Sequence, residues 1–255
     1  MAIRGNPAPY DTIGKDYSRK RQADPRIATA VARAIDGCAS LLNVGAGTGS
    51  YEPPSRNVIA VELSTTMIRQ RSHDSAPAVQ ARAELLPFRD RSFDAVLAVL
   101  TLHHWDDQDA GIAECSRVAR DRVVVLTIDP EVFGQFWLFE YLPQLRALDR
   151  HLFPNISHFA QAFESIEIIP VPIPADCRDG FLGAYWRRPT AYHDPLVRQC
   201  ISSFAKLSTI DIDTGLARLK NDVESGAWAS RYASSVDRDA LDLGYRLLVC
   251  RPTMY

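Results

Sequence analysis

The stretch Leu41-Leu42-Asn43-Val44-Gly45-Ala46-Gly47-Thr48-Gly49 carries the strongest structural signal in this chain. Its apolar first half predicts a buried strand, and the three glycines at alternate positions predict a tight turn directly after that strand. Glycine has no Cβ and tolerates unusual φ angles, so a ligand can approach the backbone of such a turn closely. The sequence therefore predicts a strand that ends in a ligand-binding turn.

A second apolar strand, Val58–Val61, follows the turn and ends in a carboxylate, Glu62, thirteen positions after Gly49. An acidic residue at the tip of the next strand is where a nucleoside ribose is usually held. A dinucleotide fingerprint reads G-x-G-x-x-G, whereas this chain reads G-x-G-x-G with Ser50 after it. The spacing therefore favours a nucleoside ligand and disfavours a dinucleotide oxidoreductase.

Strands and helices alternate through most of the chain. Helical periodicity spans about 24–37 and 107–119, and a short helix holds Met67. The expected strands cover about 40–44, 57–61, 77–81, 93–100, 122–128, 165–173 and 243–250. This alternation predicts an α/β fold with a doubly wound, mostly parallel seven-stranded sheet. The prolines at 170 and 172 place the sixth strand near an edge.

Bulk composition narrows the class of protein. The chain has 255 residues, a formal net charge of -2 and a pI of about 6.3, which disfavours nucleic acid as a partner. No apolar run reaches the ~18 residues that span a bilayer, and the N-terminus lacks a secretory core. Five scattered cysteines without C-x-x-C spacing are typical of reduced thiols and predict no metal site. We expect a cytoplasmic protein with no membrane contact.

Four segments occur in an order and spacing that resemble a known family. They are Asn43–Gly49, Glu62, Arg82-Ala83-Glu84-Leu85-Leu86-Pro87-Phe88, and the strand from Phe93 with its loop Leu102-His103-His104-Trp105. Together they resemble the class I S-adenosylmethionine-dependent methyltransferases, in the type 11 group that includes quinone-biosynthesis enzymes. The resemblance spans roughly residues 10–130. It implies a Rossmann-like methyltransferase fold, S-adenosyl-L-methionine as cofactor and S-adenosyl-L-homocysteine as product.

The resemblance also implies which residues bind the cofactor. Glu62 is expected to bind both ribose hydroxyls, and Arg21 is a candidate partner of the methionine carboxylate. The full set of expected cofactor-binding residues is Tyr17, Arg21, Asn43, Gly45, Ala46, Gly47, Gly49, Glu62, Leu63, Met67, Ala83, Glu84 and Leu100.

Two positions depart from the family pattern. Asn43 stands where the family usually has an acid, and Arg82 stands where it usually has the aspartate beside the adenine. We therefore expect the Ala83 backbone and Glu84 to contact the adenine, and the sequence leaves open whether the two departures lower cofactor affinity.

Residues after the fourth strand are candidates for catalysis. His103 and His104 lie where ligands bind in parallel sheets, and a neutral imidazole can accept a proton from a hydroxyl or an amine. Packing is the alternative role for both rings. The aromatic-rich stretch 133–152 is predicted to be an amphipathic helix that covers the sheet, or one whose aromatic side chains also wall a substrate cavity. Phe136 in that stretch, with Tyr185, Trp186 and Arg187, is predicted to select the substrate. For 185–187 the alternative is a loop that buttresses the lid.

We divide the chain into a cap segment (1–24), a Rossmann-like domain (25–177 and 236–255) and a helical insertion or lid (178–235). The expected activity is methyl transfer to oxygen, nitrogen or carbon of a small organic acceptor, by a monomer or homodimer. The alternatives are an RNA methyltransferase and a protein that binds S-adenosylmethionine without turnover.

Overall fold

The structure, a computed structural model, describes residues 21–54, 56–159 and 161–253. Tyr17 and most of the predicted cap segment lie outside these residues. The strands are β1 (Ser40–Val44), β2 (Asn57–Glu62), β3 (Ala78–Gln80), β4 (Phe93–Val99), β5 (Ala119–Ile128), β6 (Phe163–Pro170), β7 (Ile173–Pro174), β8 (Ala240–Leu241) and β9 (Tyr245–Pro252).

Helices cover both faces of the sheet and fill the segment before β8. The α-helices are α1 (Pro25–Ala34), α2 (Thr65–Arg69), α3 (Gln108–Val118), α4 (Pro130–Phe133), α5 (Leu138–Tyr141), α6 (Pro143–Leu152), α7 (Ile156–Phe159), α8 (Pro195–Gln199), α9 (Thr209–Glu224), α10 (Ala227–Arg231) and α11 (Ala233–Val236). Single turns of 3-10 helix occupy Leu102–His104, Leu182–Tyr185, Pro189–His193 and Ser202–Lys206. Within the described residues, no helix combines the length and the apolar character needed to cross a bilayer.

Seven strands form one sheet in the order β3-β2-β1-β4-β5-β9-β6. The first five strands are parallel, and β9 pairs antiparallel with both β5 and β6. This confirms the predicted mostly parallel, doubly wound sheet and the edge position of the sixth strand. The strand order reverses between β1 and β4, which is the point where ligands bind in sheets of this kind.

Local chemistry explains the boundaries of α1. The Asp24 carboxylate accepts a hydrogen bond from the Arg26 backbone N–H at 3.0 Å, and Pro25 occupies the first helical position. Ile27 and Val31 are buried beneath the helix, on the face that the four-residue spacing predicts. The helix begins and ends within a few residues of the predicted bounds.

The aromatic-rich segment after β5 differs from the single amphipathic helix that its pattern suggested. It folds as three helices, α4, α5 and α6, and Pro143 stands at the first position of α6. Proline lacks the N–H that would continue a preceding helix, so the chain turns before it. The break changes which of these aromatic side chains face the site.

The long segment between β6 and β9 is closed at its base by a two-stranded sheet of β7 and β8. The predicted insertion, 178–235, lies inside the loop that this small sheet closes. The segment is mostly helical, as expected, and its division from the rest of the chain as a lid stays a prediction.

Candidate active site

A cleft of about 1000 Å³ opens at the carboxyl ends of β1, β2 and β4. We call it the outer cavity. Eleven predicted cofactor-binding residues line it: Arg21, Asn43, Gly45, Ala46, Gly47, Glu62, Leu63, Met67, Ala83, Glu84 and Leu100. The remaining lining residues, which the sequence did not single out as binding residues for the cofactor, are Thr48, Ser50, Tyr51, Val61, Ala81, Arg82, Val99, Thr101, His104, Trp105 and Asp106.

The glycine turn requires glycine for two separate reasons. Gly45 and Gly47 have φ angles of +66° and +53°, a region that other L-residues rarely adopt. A Cβ on Gly45 would stand 1.9 Å from Oγ1 of Thr101, which follows β4, whereas a Cβ on Gly47 would only touch Met67 at 3.4 Å. Gly45 therefore allows β1 and the β4 loop to meet, and Gly47 leaves space on the cavity side. The predicted Gly49 contacts Glu52 behind the turn and does not line the outer cavity.

Glu62 is held in place from both sides. Its Oε2 accepts from the Gly47 N–H and its Oε1 from the Ser64 N–H, both at 2.8 Å. The residue is only 8% exposed, and that burial raises the pKa of its carboxyl, although the two amide hydrogen bonds oppose the rise. Each oxygen carries further lone pairs, so an ionised Glu62 can accept two hydroxyl donors from the cavity.

A buried ion pair between Glu52 and Arg71 stabilises the glycine turn. The Asn43 amide donates to Glu52 Oε1 at 3.0 Å, and the Arg71 guanidinium contacts Glu52 at 2.7 Å and the Gly47 carbonyl at 3.1 Å. Glu52 and Arg71 are almost fully buried. The negative charge that Asn43 lacks is therefore supplied nine residues later by Glu52, a partner that the sequence pattern did not reveal.

The second departure, Arg82, also acquires a partner. Its guanidinium forms an ion pair at 2.5 Å with Asp106, on the loop after β4. The Glu84 carboxylate accepts from the Asp106 N–H at 2.7 Å and so ties the same two loops together. Asp107 caps the N-terminus of α3, whereas Asp106 lines the outer cavity. An acid therefore stands beside Arg82 at this end of the cleft.

A second, smaller cavity of about 430 Å³ adjoins the first, and we call it the inner cavity. Arg21 and Leu100 line both cavities. The other residues that line the inner cavity are His103, Ile128, Phe133, Asp149, Phe153, Phe181, Leu182, Ile201, Ser202, Ser203 and Tyr245.

Backbone strain marks the border between the cavities. Leu100 has a φ of +48°, a left-handed conformation that costs a non-glycine residue about 1–2 kcal/mol. Its N–H still donates to the Leu126 carbonyl at 2.8 Å, so β5 holds the strained residue in register. This geometry turns the chain at the end of β4 and brings Leu100 to both cavities.

Arg21 is fixed by the insertion. Its Nε donates to Oδ1 of Asp179 at 2.6 Å, and the Tyr51 hydroxyl donates to the other oxygen of Asp179 at 2.9 Å. Asp179 is 1% exposed, so this buried carboxylate connects Arg21, Tyr51 after the glycine turn and the segment that follows β7. The guanidinium predicted to pair with a methionine carboxylate thus has a protein partner, and it still lines both cavities.

The two predicted catalytic histidines face different cavities. His104 lines the outer cavity and His103 the inner one, with ring centroids 3.8 Å apart. Burial lowers the pKa of His103 well below its usual value and that of His104 to about 3, and nearby cationic side chains add to both shifts. Both rings are therefore neutral at physiological pH and weak as bases.

The inner cavity also holds an acid that sequence reasoning missed. Asp149 lies on α6, is 4% exposed, and has Oδ1 3.5 Å from the Ser203 hydroxyl. Burial raises the pKa of its carboxyl to about 7, with opposing contributions from Ser203 and Lys206. On an amphipathic helix, one aspartate carries no spacing signal that would have identified it.

The four predicted substrate residues do not line either cavity. Phe136 and Trp186 pack in an aromatic core with Trp137, whose indole N–H donates to the Trp186 carbonyl at 2.8 Å. Tyr185 lies under the Arg188 guanidinium, and Arg187 is exposed. Their substrate role stays a prediction without a contact to support it. Phe133, Phe181 and Leu182, a few residues away in the same segments, line the inner cavity instead.

Metal-binding groupings are absent from the described part of the chain, where no three histidine, cysteine or acidic side chains converge. All five cysteines are buried thiols.

Comparison with known proteins agrees with this geometry. Residues 42–127 match the model of a methyltransferase domain. A demethylmenaquinone methyltransferase from Streptomyces avermitilis is 30% identical over 62% of this chain and 71% of its own length. One from Renibacterium salmoninarum is also 30% identical, over 51% of this chain, and the chain covers 60% of that relative.

Among solved structures, a protein from Anabaena variabilis superposes with a TM-score of 0.81 at 29% identity, over 92% of this chain and 99% of its own. It is described as a proposed methyltransferase from an antibiotic biosynthesis pathway. The similarity therefore extends beyond the sheet to the insertion. The chain belongs to the class I S-adenosylmethionine-dependent methyltransferases, in the group that includes the demethylmenaquinone methyltransferases.

Proposed function

We propose that this protein transfers a methyl group from S-adenosylmethionine to a small organic acceptor. The observation that carries the proposal is Glu62, whose two carboxylate oxygens are each fixed by a backbone amide at the wall of the outer cavity. A carboxylate held in this way is prepared to accept two neighbouring hydroxyl groups, as a ribose presents them.

The glycine turn fits the rest of the cofactor. The space that a Cβ would occupy at Gly47 is open toward the cavity, so a ligand can lie against the backbone. Ala83, Trp105 and the Arg82–Asp106 pair also line the cleft, where they offer an adenine both an apolar surface and polar groups to contact. Arg21 lines both this cleft and the inner cavity.

When bound, the cofactor supplies a methyl group already activated by a sulfonium, so the protein contributes position and exclusion of water. Leu100 and Arg21 form the border across which an acceptor in the inner cavity meets the outer cavity. The inner cavity is lined mainly by apolar side chains, which exclude water from the reacting atoms. His103 is neutral there and can make a hydrogen bond without adding charge.

A small acceptor fits this site better than RNA. The inner cavity is lined mainly by apolar and aromatic side chains with a few polar groups, as small-molecule sites are, and the chain as a whole is slightly acidic. Neither feature provides the basic surface that a nucleic acid requires.

Calorimetry with S-adenosylhomocysteine tests the cofactor site. We expect wild-type protein to bind it and Glu62→Gln to weaken binding by about 1.5–3 kcal/mol, because a charge-assisted hydrogen bond is lost. Asp222→Asn, on α9 and outside both cavities, is the matched control. No binding by the wild type, or equal affinity in Glu62→Gln, contradicts the proposal. Formation of S-adenosylhomocysteine with an acceptor panel then separates an enzyme from a protein that only binds the cofactor.

A further inference from the structure

The inner cavity contains two polar atoms that its own walls do not satisfy. Oδ2 of Asp149 and Nδ1 of His103 are buried, and no described residue lies within hydrogen-bonding distance of either atom. Both side chains line the same cavity. Buried polar atoms in folded proteins are almost always paired, so two unpaired atoms in one cavity indicate that a bound molecule supplies their partners.

The surroundings of Asp149 define the complementary ligand. The Ser203 hydroxyl donates to Oδ1 of Asp149 at 3.5 Å, while Phe133, Phe153 and Phe181 contribute aromatic surface to the cavity wall. Above about pH 7, where the Asp149 carboxyl is ionised, it accepts hydrogen bonds and repels anions. The ligand that fits is therefore a compact, largely apolar molecule that carries a hydrogen-bond donor.

The charged side chains near the inner cavity also favour a ligand that carries a hydrogen-bond donor over an anionic ligand. Arg21 is paired with Asp179, and Lys206 is exposed and acts on Asp149 only at longer range. His103 is neutral. The described wall thus presents an acid without a direct cationic partner, which disfavours a carboxylate or phosphate as the bound group.

We propose that Asp149 is the residue that recognises the methyl acceptor, by accepting a hydrogen bond at Oδ2 from an N–H or O–H group of the acceptor, with Ser203 positioning the carboxylate. This inference rests on the proposed function, because it assigns the inner cavity to the acceptor. The Asp149 carboxylate would select amines, amidines, phenols and alcohols as methyl acceptors and would reject acids. Asp149 is an acceptor-binding residue in this account.

A matched set of probes tests the assignment. At pH 8, where Asp149 is ionised, the protein is saturated with S-adenosylhomocysteine and titrated by calorimetry with 2-phenylethylamine, 2-phenylethanol and phenylacetate, which share one ring and differ in the polar group. We expect the amine and the alcohol to bind and phenylacetate not to bind. Tighter binding of the amine identifies amine acceptors, and tighter binding of the alcohol identifies hydroxyl acceptors.

Variants then connect binding to the residue. Asp149→Asn keeps the shape and should weaken the better donor probe by about 10- to 100-fold, and Ser203→Ala should weaken it less. Asp222→Asn, whose carboxylate contacts Tyr141 away from the cavity, should leave affinity unchanged. Circular dichroism melting confirms that each variant is folded.

The pH dependence of probe binding gives a second measurement that needs no variant. The titratable and charged groups facing Asp149 are Arg21, His103, Lys206 and Tyr245. Burial lowers the pKa of His103 well below its usual value, raises that of Tyr245 well above its usual value, and raises that of Asp149 to about 7. Amine binding should strengthen from pH 6 to pH 8 as the carboxyl ionises near pH 7.

Several outcomes overturn the inference. They are binding of phenylacetate in preference to both donors, no binding of either donor at millimolar concentration, or donor affinity within twofold of wild type in folded Asp149→Asn. Failure of S-adenosylhomocysteine to bind is scored separately and counts against the proposed function. Probe binding to the cofactor-free protein still tests Asp149 in that case.

Discussion

Replacing Gly45 with alanine tests the packing between the glycine turn and the end of β4. The new Cβ would stand 1.9 Å from Oγ1 and 2.8 Å from Cβ of Thr101, so one of the two segments must move. Gly37→Ala is the matched control, because Gly37 also has a positive φ (+80°) and a Cβ there meets nothing within 4 Å. The pair separates steric overlap from backbone strain.

Backbone strain and steric overlap together set the expected change in the free energy of unfolding. A left-handed conformation costs an alanine about 1–2 kcal/mol, and loss of glycine's freedom in the unfolded chain returns about 0.4–1 kcal/mol. The strain cost and the unfolded-state gain apply to both variants. Gly37→Ala should therefore lower the free energy of unfolding by no more than about 1.5 kcal/mol. Gly45→Ala adds overpacking of about 1–3 kcal/mol.

Urea denaturation at 25 °C, followed by tryptophan fluorescence, measures both variants. We expect equal m-values and a lower midpoint for Gly45→Ala, partly restored by adding Thr101→Ala, which removes the 1.9 Å contact and leaves the contact with the Thr101 Cβ. Equal midpoints for Gly45→Ala and Gly37→Ala would refute the close approach of Thr101 to the turn.

Three further predictions concern buried charges and the histidine of the inner cavity. Glu52→Gln should lower the free energy of unfolding by about 3 kcal/mol, because buried Arg71 loses its counterion; a loss below about 1 kcal/mol in urea titration contradicts the pairing. For Asp149, the folded protein keeps its proton up to about pH 7 while the unfolded chain loses it near pH 3.8, so the residue destabilises the fold increasingly as pH rises through this window. Thermal melts should therefore show Asp149→Asn gaining about 2–3 kcal/mol relative to wild type between pH 5 and pH 8, and a constant difference would contradict the burial. His103→Gln should lower turnover more than S-adenosylhomocysteine affinity, because the ring faces the inner cavity; equal rates in a methyl-transfer assay would remove His103 from the mechanism.

The outer cavity could be predicted from sequence because its signals are local. The glycine spacing, the apolar run before it and the acid after the second strand each depend on a few consecutive residues. A parallel sheet then brings the ends of β1, β2 and β4 to one edge without further information. Eleven of the thirteen expected cofactor-binding residues line the outer cavity for this reason, Gly49 lies behind the turn, and Tyr17 lies outside the described residues.

Partners that meet across loops could not be predicted in the same way. Arg82 looked like a loss of the adenine-side acid, but Asp106 on another loop stands beside it. Asn43 looked like a loss of charge, but Glu52 supplies that charge. Each pairing depends on how two loops approach each other, which no spacing along one segment encodes.

The lining of the inner cavity could not be predicted because the aromatic segment 133–152 does not form one continuous helix. A continuous helix through residues 133–152 would place its aromatic side chains by helical period alone. The breaks before α5 and at Pro143 turn Phe133 and Asp149 into the cavity and leave Phe136 in the core. Phe136, Tyr185 and Trp186 therefore lie in the same segments as the cavity-lining Phe133, Phe181 and Leu182 but pack in the core, and their substrate role stays a prediction.

Glu62 and the glycine turn are the residues on which the proposed nucleoside site depends. A crystal structure of the protein with S-adenosylhomocysteine tests this with one map. We expect the ligand in the outer cavity, with both ribose hydroxyls within hydrogen-bonding distance of the Glu62 oxygens and the sulfur directed toward Leu100 and the inner cavity. Density for the ligand elsewhere, or a ribose that does not contact Glu62, would contradict the account.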